Sequence, residues 1–371
     1  MIKFIKKKIG ESKFEIKEKI KQKSSRLFYI FSIFLFILFL VLLTIFILKE
    51  KKIVDNSDIS KDYTESEINL SCENCQRRLI DGFLSEEGNN PFIVAVVIDN
   101  HPDARPAFGL SQAEIVYDIP AEGGINRYLA LFNIEDKYDL QVGPVRSARP
   151  YFLDIAQEYR SMLIHCGGSP EALARISKDK ILTLNEFYNE SYFERSKKYS
   201  APHNVIANFN DIKRYLKDRN YVSSDFSSWH FKDKEIINDL DLFSASLDIK
   251  IKNGQKQYEV DWEYSFNENI YLRSLAGKKQ LDNSGEQIKA DNLIFQFVKT
   301  EILDSALRLK INLSGGGKAI VCLDGICKDS YWEKDKNDGR TRYFYDNKEE
   351  IVFNAGQTWV HFIDENTEVD Y

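Results

Sequence analysis

The chain has 371 residues, 43% hydrophobic and 29% charged, with 51 Lys and Arg against 57 Asp and Glu. That composition belongs to a globular protein long enough for two ordinary domains and excludes a disordered or collagenous chain. The residues after Arg26 hold 41 basic and 54 acidic side chains, net −13. A body this acidic is poorly suited to nonspecific nucleic-acid binding, so any anion site must be local and built from chosen arginines.

Residues 1–26 carry ten Lys and Arg against three Glu. Residues 27–48, "LFYIFSIFLFILFLVLLTIFIL", contain no charge. Such a run spans about 30 Å of hydrocarbon as a helix, so 27–48 is predicted to be a single transmembrane helix. By the positive-inside rule the basic tail 1–26 stays in the cytoplasm, and everything after the helix is extracytoplasmic. A cleaved signal peptide fits less well, because its apolar region is shorter and ends at small residues. Here "KEKKIVDNSD" follows. Cys72 in "NLSC" lies too far beyond the apolar run to be a lipidation site. Residues 49–90 read as a juxtamembrane linker. It contains Cys72 and Cys75 in "CENC", where a lone CxxC favours a local disulfide over zinc.

Residues 91–238 mix strands and helices and predict an α/β or α+β domain. "FIVAVVI" is a continuous apolar run of strand length, as expected for a strand covered on both faces. "YFLDIAQEY", "SPEALARI" and "NDIKRYLKDR" read as helices. Residues 239–371 show only short β-type runs separated by turn signals and predict a smaller all-β domain. There, "SGGGKA" precedes a strand and lacks the spacing of a phosphate loop. In "AIVCLDGICKDSYW" the Asp324-Gly325 turn pairs Cys322 with Cys327 across a hairpin, a geometry suited to a disulfide. Cys166 ends an apolar strand and is expected to be buried.

The polar loops of the mixed domain share one grammar: apolar strand, then a glycine or proline turn, then charge. "DNHPDARP" supplies Asp99, Asn100, His101, Asp103 and Arg105. "EGGINR" supplies Glu122 and Arg127. "VGPVRSARPYF" supplies Arg146, Ser147 and Arg149. "CGGSPEA" supplies Gly167, Gly168 and Ser169, and "APHNV" supplies His203 and Asn204. Loops at the carboxyl ends of α/β strands line ligand crevices. Two arginines ahead of a helix start oppose its dipole, and a bound anion would relieve this. That anion is either internal, from Asp99, Asp103 and Glu122, or a ligand.

Other chemistries are weaker. Asp99 and Glu122 could be a carboxylate pair for glycan hydrolysis. Asp99, His101 and Asp103 could hold a metal, but the intervening proline and the unfamiliar spacing leave no metal assigned. Ser169 with His165 or His203 could be nucleophile and base, but "GGSP" is not a nucleophile elbow, and a helix N-cap explains the serine. His165 on an apolar strand reads as a core histidine. No cofactor is expected.

"VVIDNHPDARPAFGLSQAEIVYDIPAEGGINRYLALF", "VGPVRSARPYFLDIAQEY", "HCGGSPEAL" and "APHNV" together make the chain similar to the YerB-like family of bacterial envelope lipoproteins, known chiefly as a domain of unknown function. The resemblance implies an N-terminal mixed domain and a smaller C-terminal β domain over residues 91–371. It also directs attention to the loop residues above, with Asp154 and His165. This chain departs from the family in showing a transmembrane helix where many members look lipidated. The expected function is an anchored envelope protein that binds an anionic wall component through the arginine loops. Such a component would be a peptidoglycan carboxylate or a phosphate-bearing glycopolymer. The alternatives are a wall-glycan or phosphoester hydrolase using Asp99, Glu122 or His203, and a scaffold for cell-wall synthesis proteins whose partner is another envelope protein.

Overall fold

The computed structural model describes residues 36–39, 44, 75–85, 90–135, 137–234, 248–334, 339–364 and 367–371. The basic tail lies outside the described residues, as does nearly all of 27–48, of which 36–39 and 44 are described as helical. Among the described residues no helix is long and apolar enough to cross a membrane. Most of the expected linker, and the expected domain boundary at 238, also lie outside them. The chain divides into two compact units, residues 1–72 and 73–371, and all that follows concerns the second.

Its centre is a ten-stranded mixed sheet. In chain order the strands are β1 (Ile93–Ile98), β2 (Ile115–Pro120), β3 (Asn126–Asn133), β4 (Met162–His165) and β5 (Thr183–Asn185), then β6 (Asn292–Phe297), β7 (Gly315–Leu323), β8 (Ile326–Lys334), β9 (Arg342–Phe344) and β10 (Thr358–Ile363). They lie side by side as β9-β8-β7-β6-β10-β2-β3-β1-β4-β5. The predicted apolar strand is β1, buried at every position. Val94, Val96 and Ile98 join one core and Ile93, Ala95 and Val97 the other, so the two-residue period divides the strand between two faces. Helix α1 (Pro150–Glu158) packs into the second core through Tyr151, Phe152 and Ile155. Helix α2 (Pro170–Asp179) adds Ala172 there, while α3 (Phe209–Lys217) buries Phe209, Ile212 and Leu216 in the first core.

The second half of the chain is β-rich, as the sequence predicts, but its strands are not confined to a sheet of their own. β10 inserts between β6 and β2 and runs parallel to both. Its six residues, "TWVHFI", are all buried. A strand apolar on both sides needs cover on both faces, which the shared sheet provides. Six of the remaining strands form a second sheet, with Asp248–Lys252, Val260–Ser265 and Ile270–Leu275 at its centre. Its Ile249, Trp262 and Tyr271 fill the first core.

The hairpin β7–β8 pairs Cys322 with Cys327 and Leu323 with Ile326. Asp324 and Gly325 turn with φ of 53° and 73°, both positive as a two-residue hairpin of this type requires. The two cysteines are bonded, with Cα atoms 4.0 Å apart. Cys75 is also in a disulfide; Cys72 is outside the described residues. Cys166 is a half-buried free thiol that donates to Glu186 Oε2 (3.3 Å), and burial followed by this carboxylate pushes its pKa up to about 11.

Candidate functional site: a basic loop cluster

β1 and β2 both run antiparallel to β3, and β4 runs parallel to β1. The carboxyl ends of β1, β2 and β4 therefore share one edge of the sheet with the start of β3. This topology brings the predicted loops together.

The segment 142–149 is the strap across that edge. Asp99 N–H donates to Pro144 O (2.8 Å), Arg146 N–H to Val97 O (2.8 Å), Cys166 N–H to Arg146 O (3.0 Å) and Ala148 N–H to Gly167 O (3.0 Å). Its main chain is thus spent on the ends of β1 and β4, and its side chains are left to make the site. Pro150 then opens α1, and Arg149 holds the N-cap position without a side-chain capping bond.

Arg149 ion-pairs through Nε with Glu122, and its Nη1 donates to Ala148 O (2.8 Å). Arg127 Nη1 lies 3.1 Å from the other oxygen of the same carboxylate. Burial opposes ionisation of Glu122. The hydrogen bond from Arg149 and the charges of Arg127 and Arg149 outweigh it and hold the carboxyl below its ordinary range. Arg127 is also held below its ordinary value, first by its own burial and then by the charge of Arg149. Two guanidinium groups therefore share one carboxylate. Arg127 Nε is buried and makes no hydrogen bond to a described residue, while Nη1 has its ion pair with Glu122.

Asp99 organises the adjoining group. Its Oδ2 accepts from His203 Nδ1 (2.6 Å) and lies 3.1 Å from Arg146 Nε, while its Oδ1 accepts from His101 N–H (3.0 Å). An ionised carboxylate only accepts, so the His203 proton sits on Nδ1. Arg146 Nη1 also donates to Pro202 O (3.2 Å). Asp99 and Glu122 therefore pair internally with Arg127, Arg146 and Arg149, whereas Asp103 lies beside His101.

The other predicted residues have structural partners. Arg105 donates to Asn100 O and Oδ1 and, through Nη1, to Gln257 O (2.9 Å), and it stacks 5.0 Å from the Tyr258 ring centroid. It joins the two halves and stands apart from the Glu122 group. Asn100 is buried. Ser147 Oγ donates to Cys166 O, Ser169 Oγ caps α2 by accepting from Ala172 N–H, and Asn204 Oδ1 accepts from Arg195. Neither serine hydroxyl is placed as a nucleophile. Gly167 adopts a left-handed φ of 65° with its N–H on Asn185 Oδ1, and a Cβ at Gly168 would press on the Leu173 side chain at 3.0 Å. His165 is fully buried, its Nδ1–H donates to Gly167 O (2.7 Å), and burial lowers its pKa.

Beside Asp99 and Arg105 a cleft of about 460 Å³ opens toward Tyr128 and Lys278–Leu281 of the second half. Below it sits a cluster that the sequence did not disclose. Asp118 Oδ2 lies 2.6 Å from Arg273 Nη2 and 3.3 Å from His361 Nδ1, and Trp262 Nε1–H donates to His361 Nε2 (3.0 Å). All three ionisable side chains are buried.

The fold and these loops define a mixed α/β protein with a β-rich second half and a basic cluster along one sheet edge. The chain belongs to the YerB-like family: the family described as Protein of unknown function (DUF3048) matches its N-terminal domain at residues 82–222 and its C-terminal domain at 248–360. Over 283 residues the chain is 31% identical to YerB of Bacillus subtilis (strain 168), a protein named as a candidate lipoprotein, covering 73% of this chain and 80% of that one. The crystal structure of YerB from Bacillus subtilis superposes with a TM-score of 0.69 at 26% identity, covering 80% of this chain and all of that chain. Both family domains contribute strands to the single ten-stranded sheet.

Proposed function

We propose that this is a membrane-anchored, extracytoplasmic protein of the cell envelope that binds an anionic wall component at Arg127, Arg146 and Arg149. The component carries carboxylate or phosphate, as peptidoglycan stems and phosphate-bearing glycopolymers do. The anchor is the apolar segment 27–48, with the basic tail on the cytoplasmic side. The relative's lipoprotein name supports the same location. The observation that carries the binding reading is the pair of arginines on Glu122, with the buried Nε–H of Arg127 making no hydrogen bond to a described residue. Buried donors of this kind are costly unless an acceptor meets them, and arginine is suited to bidentate contact with such anions. Glu122 is a poor general acid, because its neighbours favour the ionised form. This weighs against a hydrolase built on the Asp99 and Glu122 carboxylates.

The test is thermal unfolding of the full chain in detergent with muropeptides bearing free carboxylates and with phosphate-bearing glycopolymer fragments. An anion at about 100 times its Kd adds about 2.7 kcal/mol to the folded state. One fragment class should raise the midpoint in a concentration-dependent way, and Arg146→Ala/Arg149→Ala should lose the response. A response kept in that variant, or absent across both classes, overturns the reading.

A further inference from the structure

Next to the arginines, three metal-ligating side chains from two separate loops come together: His101, Asp103 and His203, with one donor atom from each within 4.8 Å of the others. We propose that these three residues bind a divalent transition metal ion of the zinc class, with Asp99 orienting His203.

The donor set is two imidazoles and a carboxylate, a combination typical of zinc sites with an open position for water or ligand. His203 is prepared for the role. Its Nδ1–H donates to Asp99 Oδ2 (2.6 Å), which fixes the tautomer and leaves the Nε2 lone pair available. A carboxylate behind a histidine in this way is the usual outer partner of a ligating imidazole, setting the ring orientation and raising its basicity. The Asp103 carboxylate is exposed and makes no hydrogen bond to a described residue; His101 Nδ1 lies 3.6 Å away. Two ligands of a tetrahedral zinc ion, each about 2.1 Å from the metal, lie roughly 3.4 Å apart. The present 3.6 Å separation shows that these two side chains can reach such a spacing.

The structure also states what binding must break. His101 Nδ1 accepts a weak bond from Asp103 N–H (3.2 Å), and the two imidazole rings are stacked with centroids 4.6 Å apart. Two parallel rings cannot both aim an in-plane lone pair at one ion, so His101 leaves the stack and gives up the backbone bond. Both contacts are weak and partly exposed. The charge balance suits a dication: Asp99 and Asp103 against Arg146, with both imidazoles neutral as ligands. Asp99 contacts Arg146, so a bound ion would sit beside the basic cluster. The metal site does not depend on the anion reading and can fail or stand alone.

The experiment titrates zinc alone into the chelator-stripped full chain against a chromogenic competitor, with cobalt substitution as a second readout. One zinc per chain is expected, with cobalt giving visible d–d absorption of a tetrahedral site. Asp99→Asn should weaken binding about 10- to 100-fold, the range for loss of an outer partner. His101→Ala and His203→Ala should each weaken it by at least as much and abolish the cobalt spectrum. His230→Ala, at a mostly exposed histidine paired with Glu350, should leave both unchanged. His101 and Asp103 lie in an exposed loop, so His101→Ala and Asp103→Asn keep the test valid if His203→Ala does not fold. Failure of the native chain to bind zinc, or binding that His101→Ala and Asp103→Asn leave within about twofold where Asp99→Asn predicts a tenfold loss, overturns the proposal.

Discussion

The protein contains two clusters of the same three residue types. Asp99, His203 and Arg146 meet at the loop edge; Asp118, His361 and Arg273 meet under the cleft. In each, a single carboxylate oxygen faces both the Nδ1 of the histidine and the arginine. They differ at the far side of the imidazole. Trp262 donates to His361 Nε2, whereas no described residue hydrogen-bonds to His203 Nε2. The inner imidazole has both nitrogens committed and is further enclosed by Trp359, whose ring centroid lies 6.0 Å away. Burial is the largest influence on that pair. It lowers the His361 pKa beyond what Asp118 restores, and the hydrogen bond from His361 with the charge of Arg273 keeps Asp118 below its ordinary range despite burial. The same chemistry therefore serves as a sealed joint between the two halves in one place and, in the other, as a group whose His203 and Arg146 are partly exposed. Residue type alone does not separate a structural Asp–His pair from a functional one; the partner of the second nitrogen does.

The largest effect expected from this contrast is at the joint. Arg273→Ala leaves Asp118 buried without its cation, and breaking such a pair costs about 3–5 kcal/mol. Denaturant unfolding of the full chain would measure it, and a loss below about 1 kcal/mol, the range of exposed pairs, would mean that the joint is not sealed. A smaller effect is expected from Trp262→Phe, which keeps the ring but leaves a buried acceptor on His361 unmet. The cost is about 1–3 kcal/mol, and a neutral outcome by the same measurement would remove the distinction drawn between the two imidazoles. The smallest belongs to the open cluster. Arg146→Ala should change unfolding free energy by no more than about 1 kcal/mol, because Arg146 is partly exposed and Asp99 keeps His203 and a backbone N–H as partners. A loss as large as that of Arg273→Ala would make Arg146 a structural residue and leave the anion reading without one of its three cations.

Much of the open cluster is legible in the chain itself. Strand-to-loop punctuation marks out Asp99, Glu122, Arg127, Arg146, Arg149 and His203, and the parallel course of β1, β2 and β4 then places those loops at one edge. Arg105 reads like its neighbours but turns to Asn100 and Gln257, a difference that depends on a residue 152 positions away. The metal-ligand reading of Asp99, His101 and Asp103 selects two of the three residues that converge. His203 is about a hundred positions downstream, and Asp99 stands behind it. The sealed cluster has no local signature. Asp118, Arg273 and His361 each look like an ordinary polar member of a strand, and their partners are 155 and 99 residues distant in sequence.

By itself the sequence determined what short-range physics controls. The Asp324-Gly325 turn sets the register that brings Cys322 opposite Cys327, because only residues tolerant of positive φ make so tight a hairpin. The unbroken apolar run of β1 demands cover on both faces, and Ser169 before Pro170 starts α2. Tertiary structure alone decided that β10 enters the sheet between β6 and β2, so that the two halves share one core. It also decided which Asp–His pair is closed by an indole. Both outcomes rest on burial of surfaces far apart in the chain, where apolar area is removed from water without regard to sequence distance.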